Sequence, residues 1–338
     1  MSRLTKRLKT PLFLALTVLC LVGLSRLVMP KRYEYGANWE AFRREPSDSM
    51  DVVFFGSSMV YCNVIPAVVW EQSGLNVYDM AGPTQTTACT YYYVEEMFRT
   101  QSPTAIMVEV SNIHFDAETG RDSVKINLGY LPYDSVRLRA TFNCAPKEDR
   151  MTLLFPPYAY HVRWTELTGD DFTFALQGYD ADMLAGYTFV NKVNPQPGRK
   201  ERSFTQTEAE YLENLRWLQK IPALCASHDC RCIFYISASC ADFPPDYLAR
   251  LRADLTATGA EFLNCKDDFD SIGFDLDRDF YGVIHFNCEG AEKNSVYLGQ
   301  KLLSMGVLPR DGDAWKDAWT ERLAYYQRLK AEQDESAS

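Results

Sequence analysis

At 338 residues with 46% apolar content, the chain has room for one large domain or two ordinary ones around a substantial core. Its net charge of -10 argues against a nucleic-acid partner. Ten cysteines are too few for a disulfide scaffold, and no paired Cys-x-x-Cys units are present, so no metal site is expected. Most of these cysteines read as small buried hydrophobes. A disulfide through Cys225, Cys230 or Cys240 stays open for a domain outside the cytoplasm.

In chain order, residues 1–10 carry Arg3, Lys6, Arg7 and Lys9 and no acid. Residues 11–29 are apolar except for Arg26. About nineteen helical residues at about 1.5 Å each span a bilayer core. The basic side stays in the cytoplasm, so residues 1–30 are expected to be a membrane anchor with the rest outside. A cleavable signal peptide is the rival reading, although no clear Ala-x-Ala site is present. Residues 31–50 read as a polar juxtamembrane segment, and residues 51–310 as the globular domain.

Buried strands are predicted at 52–55, 76–80, 105–110, 232–236 and 261–263, where apolar residues run without alternation. Helical periodicity lies between them at 68–73, 87–99, 208–227 and 247–258. Strands alternating with helices imply an α/β fold with a parallel sheet covered on both faces. The rhythm is lost at 111–205, a stretch rich in aromatics and turn residues, read as an insertion capping the carboxyl edge of the sheet. Residues 311–338 carry Trp315, Trp319, Leu323 and Tyr326 at helical spacing, ahead of a tail expected to be disordered.

The chemistry-bearing stretch follows the first strand. Val52-Val-Phe-Phe55 meets Gly56-Ser57-Ser58, where the chain must turn. In parallel α/β sheets such turns lie at the carboxyl ends of strands, where ligands bind. A serine there exposes its hydroxyl beside backbone N–H groups, two of the parts that a nucleophile needs. Ordinary turn chemistry is the competing reading. Of four histidines, His285 stands out, in Asp279-Phe-Tyr-Gly-Val-Ile-His285-Phe-Asn287, ahead of a Gly-Ala-led helix. A late histidine on a loop after the last strand can reach back to Ser58 as its base.

Phe55-Gly-Ser-Ser58, Gly82, the Tyr91-Tyr-Tyr-Val-Glu-Glu96 helix, His161-x-Arg-Trp164 and His285-x-Asn287 with Gly290-Ala291 together resemble the SGNH (GDSL-like) hydrolase superfamily, over about residues 50–305. The likeness is to its membrane-anchored, extracytoplasmic bacterial members. It is more distant to the D-alanyl transfer proteins of teichoic acid and to alginate acetylation proteins. The resemblance implies a flavodoxin-like three-layer α/β/α sandwich. It implies Ser58 as nucleophile, His285 as base, and an oxyanion hole of the Ser58 N–H, the Gly82 N–H and the Asn112 side chain. No cofactor is implied. The implied activity is that of an esterase or O-acyltransferase acting on acylated or lipid-linked cell-envelope glycan, with a membrane acyltransferase as a further partner. The chain departs from the pattern at Gly282, where the family has the aspartate that orients the histidine. Asp279, Asp277 or a backbone carbonyl is the expected substitute. The same departure supports the alternative of a non-catalytic module that binds glycan or an acyltransferase through the same cleft.

Four other readings bear on the site. Glu109, inside an apolar strand, needs a partner or faces the pocket. Arg163 packs the insertion, pairs with Glu109 or contacts an anionic glycan. His114 and His161 read as structural or rim residues, and His228 as exposed. Tyr91, Tyr92 and Tyr93 read as helix packing.

Overall fold

The computed structural model describes residues 3–31, 36, 38–178, 180–310 and 314–337. Its strands are β1 (Val52–Gly56), β2 (Val77–Ala81), β3 (Ala105–Glu109), β4 (Lys200–Glu201), β5 (Arg231–Ile236), β6 (Ala241–Asp242) and β7 (Glu261–Asn264). Five of them form one sheet in the order β2-β1-β3-β5-β7, with every pair parallel. Counting those five alone, the order is 2-1-3-4-5, the flavodoxin-like doubly wound arrangement. The two-residue strands β4 and β6 pair with each other outside it.

The non-alternating runs are explained by burial on both faces. Every residue of β1, β2 and β3 is buried. Val53 and Phe55 pack toward the helices Thr87–Met97 and Glu208–Ala226. Val52 and Phe54 pack toward Pro66–Ser73 and Cys288–Ser304. The three tyrosines of Thr87–Met97 serve packing: Tyr91 and Tyr92 lie against Trp217, and Tyr93 against Trp39.

The N-terminal helix is Arg3–Val28. Its segment Lys9–Val28 has a mean hydropathy of 2.1 and is only 11% buried, unlike the core helix of a globular protein. It is long and apolar enough to cross a membrane. Its far end is tied to the insertion, where Arg163 Nη1 donates to the Val28 carbonyl at 2.8 Å and the Tyr130 hydroxyl to that of Pro30 at 2.7 Å. Arg163 also pairs with Asp171 at 3.0 Å, so its place is at the helix end and not beside Glu109.

Three expectations need correction. The polar 31–50 segment contributes core: the short helix Trp39–Phe42 buries Trp39 against Tyr93 and Phe42 against Tyr78. The insertion does more than cover the sheet edge, because its helices Pro156–Ala159 and Gly169–Gln177 lie along the N-terminal helix. The last helix runs from Lys316 to Ala337, through residues expected to be disordered. It is pinned by Trp319 stacking on Trp70 and by a buried Arg322–Glu45 ion pair. All ten cysteines are free thiols, so no disulfide joins Cys225, Cys230 or Cys240.

Candidate active site

The Ser58 turn is built by a glycine. Gly56 ends β1 at φ +154°, and a Cβ there would lie 2.8 Å from the Glu109 Cβ and 2.9 Å from Val60 Cγ2. Any larger residue would push the turn off the sheet. The chain then enters the short helix Ser58–Tyr61, leaving Ser58 half-buried at its first position. A first-turn N–H has no acceptor inside its own helix, so the Ser58 amide is free to serve something outside it. Gly56 pairs with Ala81, which sets Gly82 at the same sheet edge. A Cβ on Gly82 would collide with the Asn127 side chain, at 2.0 Å from Oδ1. Asn127 belongs to the insertion helix Val124–Gly129, so the insertion reaches this edge there.

The base arrives from 227 positions away. His285 Nε2 lies 2.7 Å from Ser58 Oγ. The loop that carries it is a tight turn: His285 N–H donates to the Gly282 carbonyl at 3.2 Å, and Tyr281 and Gly282 N–H donate to the His285 carbonyl. Phe280 and Phe286 close its base as an isolated antiparallel bridge. The imidazole stacks on the Tyr281 ring, with centroids 5.1 Å apart and planes 12° apart. Burial, assisted by the nearby positive charge of Arg202, lowers the His285 pKa to about 4. The ring is therefore neutral at neutral pH and able to accept a proton.

Asn63 holds the two sides together, and sequence reasoning missed it. Fully buried, it donates from Nδ2 to the Ile284 carbonyl at 3.0 Å and accepts at Oδ1 from Phe286 N–H at 2.9 Å. These groups flank His285 on both sides. Its own carbonyl accepts from Asn294 Nδ2 at 2.7 Å. One side chain just past the Ser58 helix thus fixes the backbone of the base. The only signal was an amide amid apolar residues, Val60-Tyr-Cys-Asn63-Val-Ile65.

Two expected roles are not borne by the residues proposed for them. Asp279 does not orient the imidazole: its buried carboxylate accepts from Lys293 Nζ at 2.6 Å and from Asp275 N–H at 2.7 Å. Its carbonyl accepts from Asn287 N–H, so it anchors the loop before the Cys288–Ser304 helix. Asn112 is buried with Nδ2 donating to the Gln85 carbonyl at 2.6 Å. That bond commits one of its two amide N–H groups to the backbone at Gln85. Among the described residues, no carboxylate hydrogen-bonds His285 Nδ1. The position left open by Gly282 is beside it, since a Cβ there would lie 3.6 Å from Nδ1.

Glu109 is fully buried at the end of β3, accepting from Ser111 N–H at 3.1 Å and Ser237 N–H at 3.4 Å. Burial raises its pKa. It braces the strand ends beneath the turn. Arg202 donates to the Ser111 carbonyl at 2.9 Å, a cation beside the site that no local motif announced. His114 packs between Phe115 and Phe204, His161 is exposed and held by the Tyr158 carbonyl, and His228 stacks on Phe98.

No family model matches the chain, and no curated protein sequence matches it. Among solved structures, one from Bacteroides fragilis called a "putative acylhydrolase" is similar over 83% of this chain and 98% of its own, at 12% identity and a TM-score of 0.39. A likeness at that level bears on neither the site nor the reaction.

Proposed function

We propose that the protein is a membrane-tethered serine esterase or O-acyltransferase in which Ser58 and His285 form a two-residue catalytic centre. The 2.7 Å approach of His285 Nε2 to Ser58 Oγ carries this reading. Ser58 O–H donates to the neutral imidazole. As Oγ attacks an ester carbonyl carbon, its proton passes to Nε2 and the carbonyl oxygen becomes an oxyanion. The Ser58 N–H and Gly82 N–H are the proposed donors to that oxygen, where charge appears only in the transition state. The C–O bond to the leaving group breaks, the departing alkoxide takes the proton from Nε2, and an acyl-Ser58 ester remains. Water or a sugar hydroxyl then gives its proton to Nε2 and attacks the acyl carbon, forming a second oxyanion; the bond from the acyl carbon to Ser58 Oγ breaks, and Oγ takes the proton back from Nε2. Water completes hydrolysis; a hydroxyl completes transfer.

The Lys9–Val28 helix supports the tether. The basic residues ahead of it, Arg3, Lys6, Arg7 and Lys9, favour a domain outside the cytoplasm, and envelope glycan is the substrate class proposed from that location and from the family resemblance. Asp279 keeps an indirect part as anchor of the base loop. The second reading, a binding module, is favoured by Gly282 and the missing acid at Nδ1. An activated fluorophosphonate separates them on the full chain in detergent. The enzyme reading expects stoichiometric labelling that vanishes in Ser58→Ala and slows in His285→Ala by about 10² or more. Absence of labelling in folded protein supports the module.

A further inference from the structure

Where the apolar helix meets the domain there is a cavity of about 390 Å³, whose lining includes no residue of the Ser58 turn or the His285 loop. Val22 and Arg26 line it from one face of the helix, four positions apart, with Met29 just past the helix end. Arg43, Arg44 and Arg137 line it from the domain. Against these four guanidiniums stands one carboxylate, Glu40, so the lining keeps three formal positive charges (four minus one). In a chain of net charge -10 this is a local reversal of sign.

The arginines are held in different ways. Arg137 is 2% exposed and donates to the carbonyls of Gly129, Leu131 and Leu153, while its Nε is buried with no hydrogen-bond partner. Its guanidinium lies 4.0 Å from the Tyr133 ring centre, and burial lowers its pKa. Arg44 is fixed by Nη2 donating to the Gln177 carbonyl at 2.7 Å. Among the described residues, Arg26 and Arg43 have no ion-pair partner. Arg26 and Arg43 are exposed, whereas Arg137 is buried and likewise has no ion-pair partner among the described residues. A buried cation such as Arg137 without a counter-ion is unfavourable, and an anion in the cavity would relieve it.

Position decides which anion. The cavity opens at the end of a helix whose exposed Leu12, Phe13 and Leu19 suit acyl chains, with Val22 on the same helix at its lip. A group entering there sits at headgroup depth, with its tail along the helix. We propose that this cavity binds the phosphate of an anionic membrane lipid. It rests on the tethered reading of the helix but not on the Ser58 chemistry. The bound headgroup would set the domain's height and tilt above the bilayer, and hence which part of a surface polymer the Ser58 edge meets.

The test is retention of lipid by the full chain in detergent, read by native mass spectrometry, with phosphatidylglycerol, phosphatidylcholine or inorganic phosphate added. Phosphatidylglycerol should remain as a one-to-one adduct and phosphatidylcholine should not. Each arginine near a lipid surface contributes about a fivefold factor, so Arg26→Gln with Arg43→Gln should weaken retention roughly 20- to 30-fold. Fluorophosphonate labelling of Ser58, if present in the parent, should be unchanged in that variant; thermal unfolding at the parent temperature certifies its fold in either case. Equal retention of both lipids, or undiminished retention in the variant, would overturn the proposal. So would inorganic phosphate displacing the lipid at the lipid's own concentration, which would make this a site for a soluble anion. Failure of the protein to resist alkaline extraction from membranes would instead strike the tether.

Discussion

The two halves of the Ser58–His285 pair are positioned by different means. Ser58 is placed by topology: a buried strand, a glycine that no other residue can replace and a helix start. His285 sits on a loop whose place depends on side chains, chiefly Asn63 and Asp279. The nucleophile's position is therefore a property of the fold, and the base's position a property of a few hydrogen bonds. Disturbing the first should abolish chemistry, whereas disturbing the second should grade it.

The largest expected effect is from Ser58→Ala, with loss of ester turnover by about 10³ or more at unchanged thermal stability. Asn63→Ala comes next. It removes both clamps on the base loop and leaves Phe286 N–H and the Ile284 carbonyl without that partner. Turnover should fall about 10²-fold, mostly in kcat, with about 1–3 kcal/mol lost from unfolding measured in urea. If kcat survives, the clamp is not what places the imidazole.

Gly282→Asp should move activity upward. The Cβ has room at 3.6 Å from Nδ1, and the position lacks the positive φ that strains a side chain. A carboxylate there holds the imidazolium that forms during attack, so kcat should rise about tenfold. The same substitution shifts the pH profile. In the parent, burial holds His285 near a pKa of about 4, so the proton-accepting form is lost only as pH falls through that value, and kcat/KM stays flat from pH 6 to 8. An added carboxylate favours the protonated ring, moving the acid limb to higher pH. An unmoved limb would mean that His285 is not the group titrating. The smallest effect is expected from Asp279→Asn, which weakens the Lys293 contact and should cost about 1–2 kcal/mol of stability and only a few-fold in rate.

Much of the architecture was legible because burial on both sheet faces writes itself as apolar runs. The five strands of the main sheet lie within a residue or two of where those runs sit. The Ser58 turn was legible for the same reason: Gly-Ser-Ser after such a run has one place to be. The roles of Asp279 and Asn112 were not, since an acid near a histidine in sequence need not face it. Asp279 points to Lys293, and Asn112 to Gln85. Asn63 was hidden because its partners are backbone groups more than two hundred positions away. Trp39 and Phe42 were read as linker because four helical residues are too few to show a period.

The most direct test is to trap the covalent species. The full chain is mixed with an activated ester such as p-nitrophenyl acetate, quenched in acid and mapped by peptide mass spectrometry. An acyl group on Ser58 that forms rapidly in the parent and slowly in His285→Ala is the result expected. An acyl group on another residue, or formation on Ser58 at the same rate without the imidazole, would contradict the account.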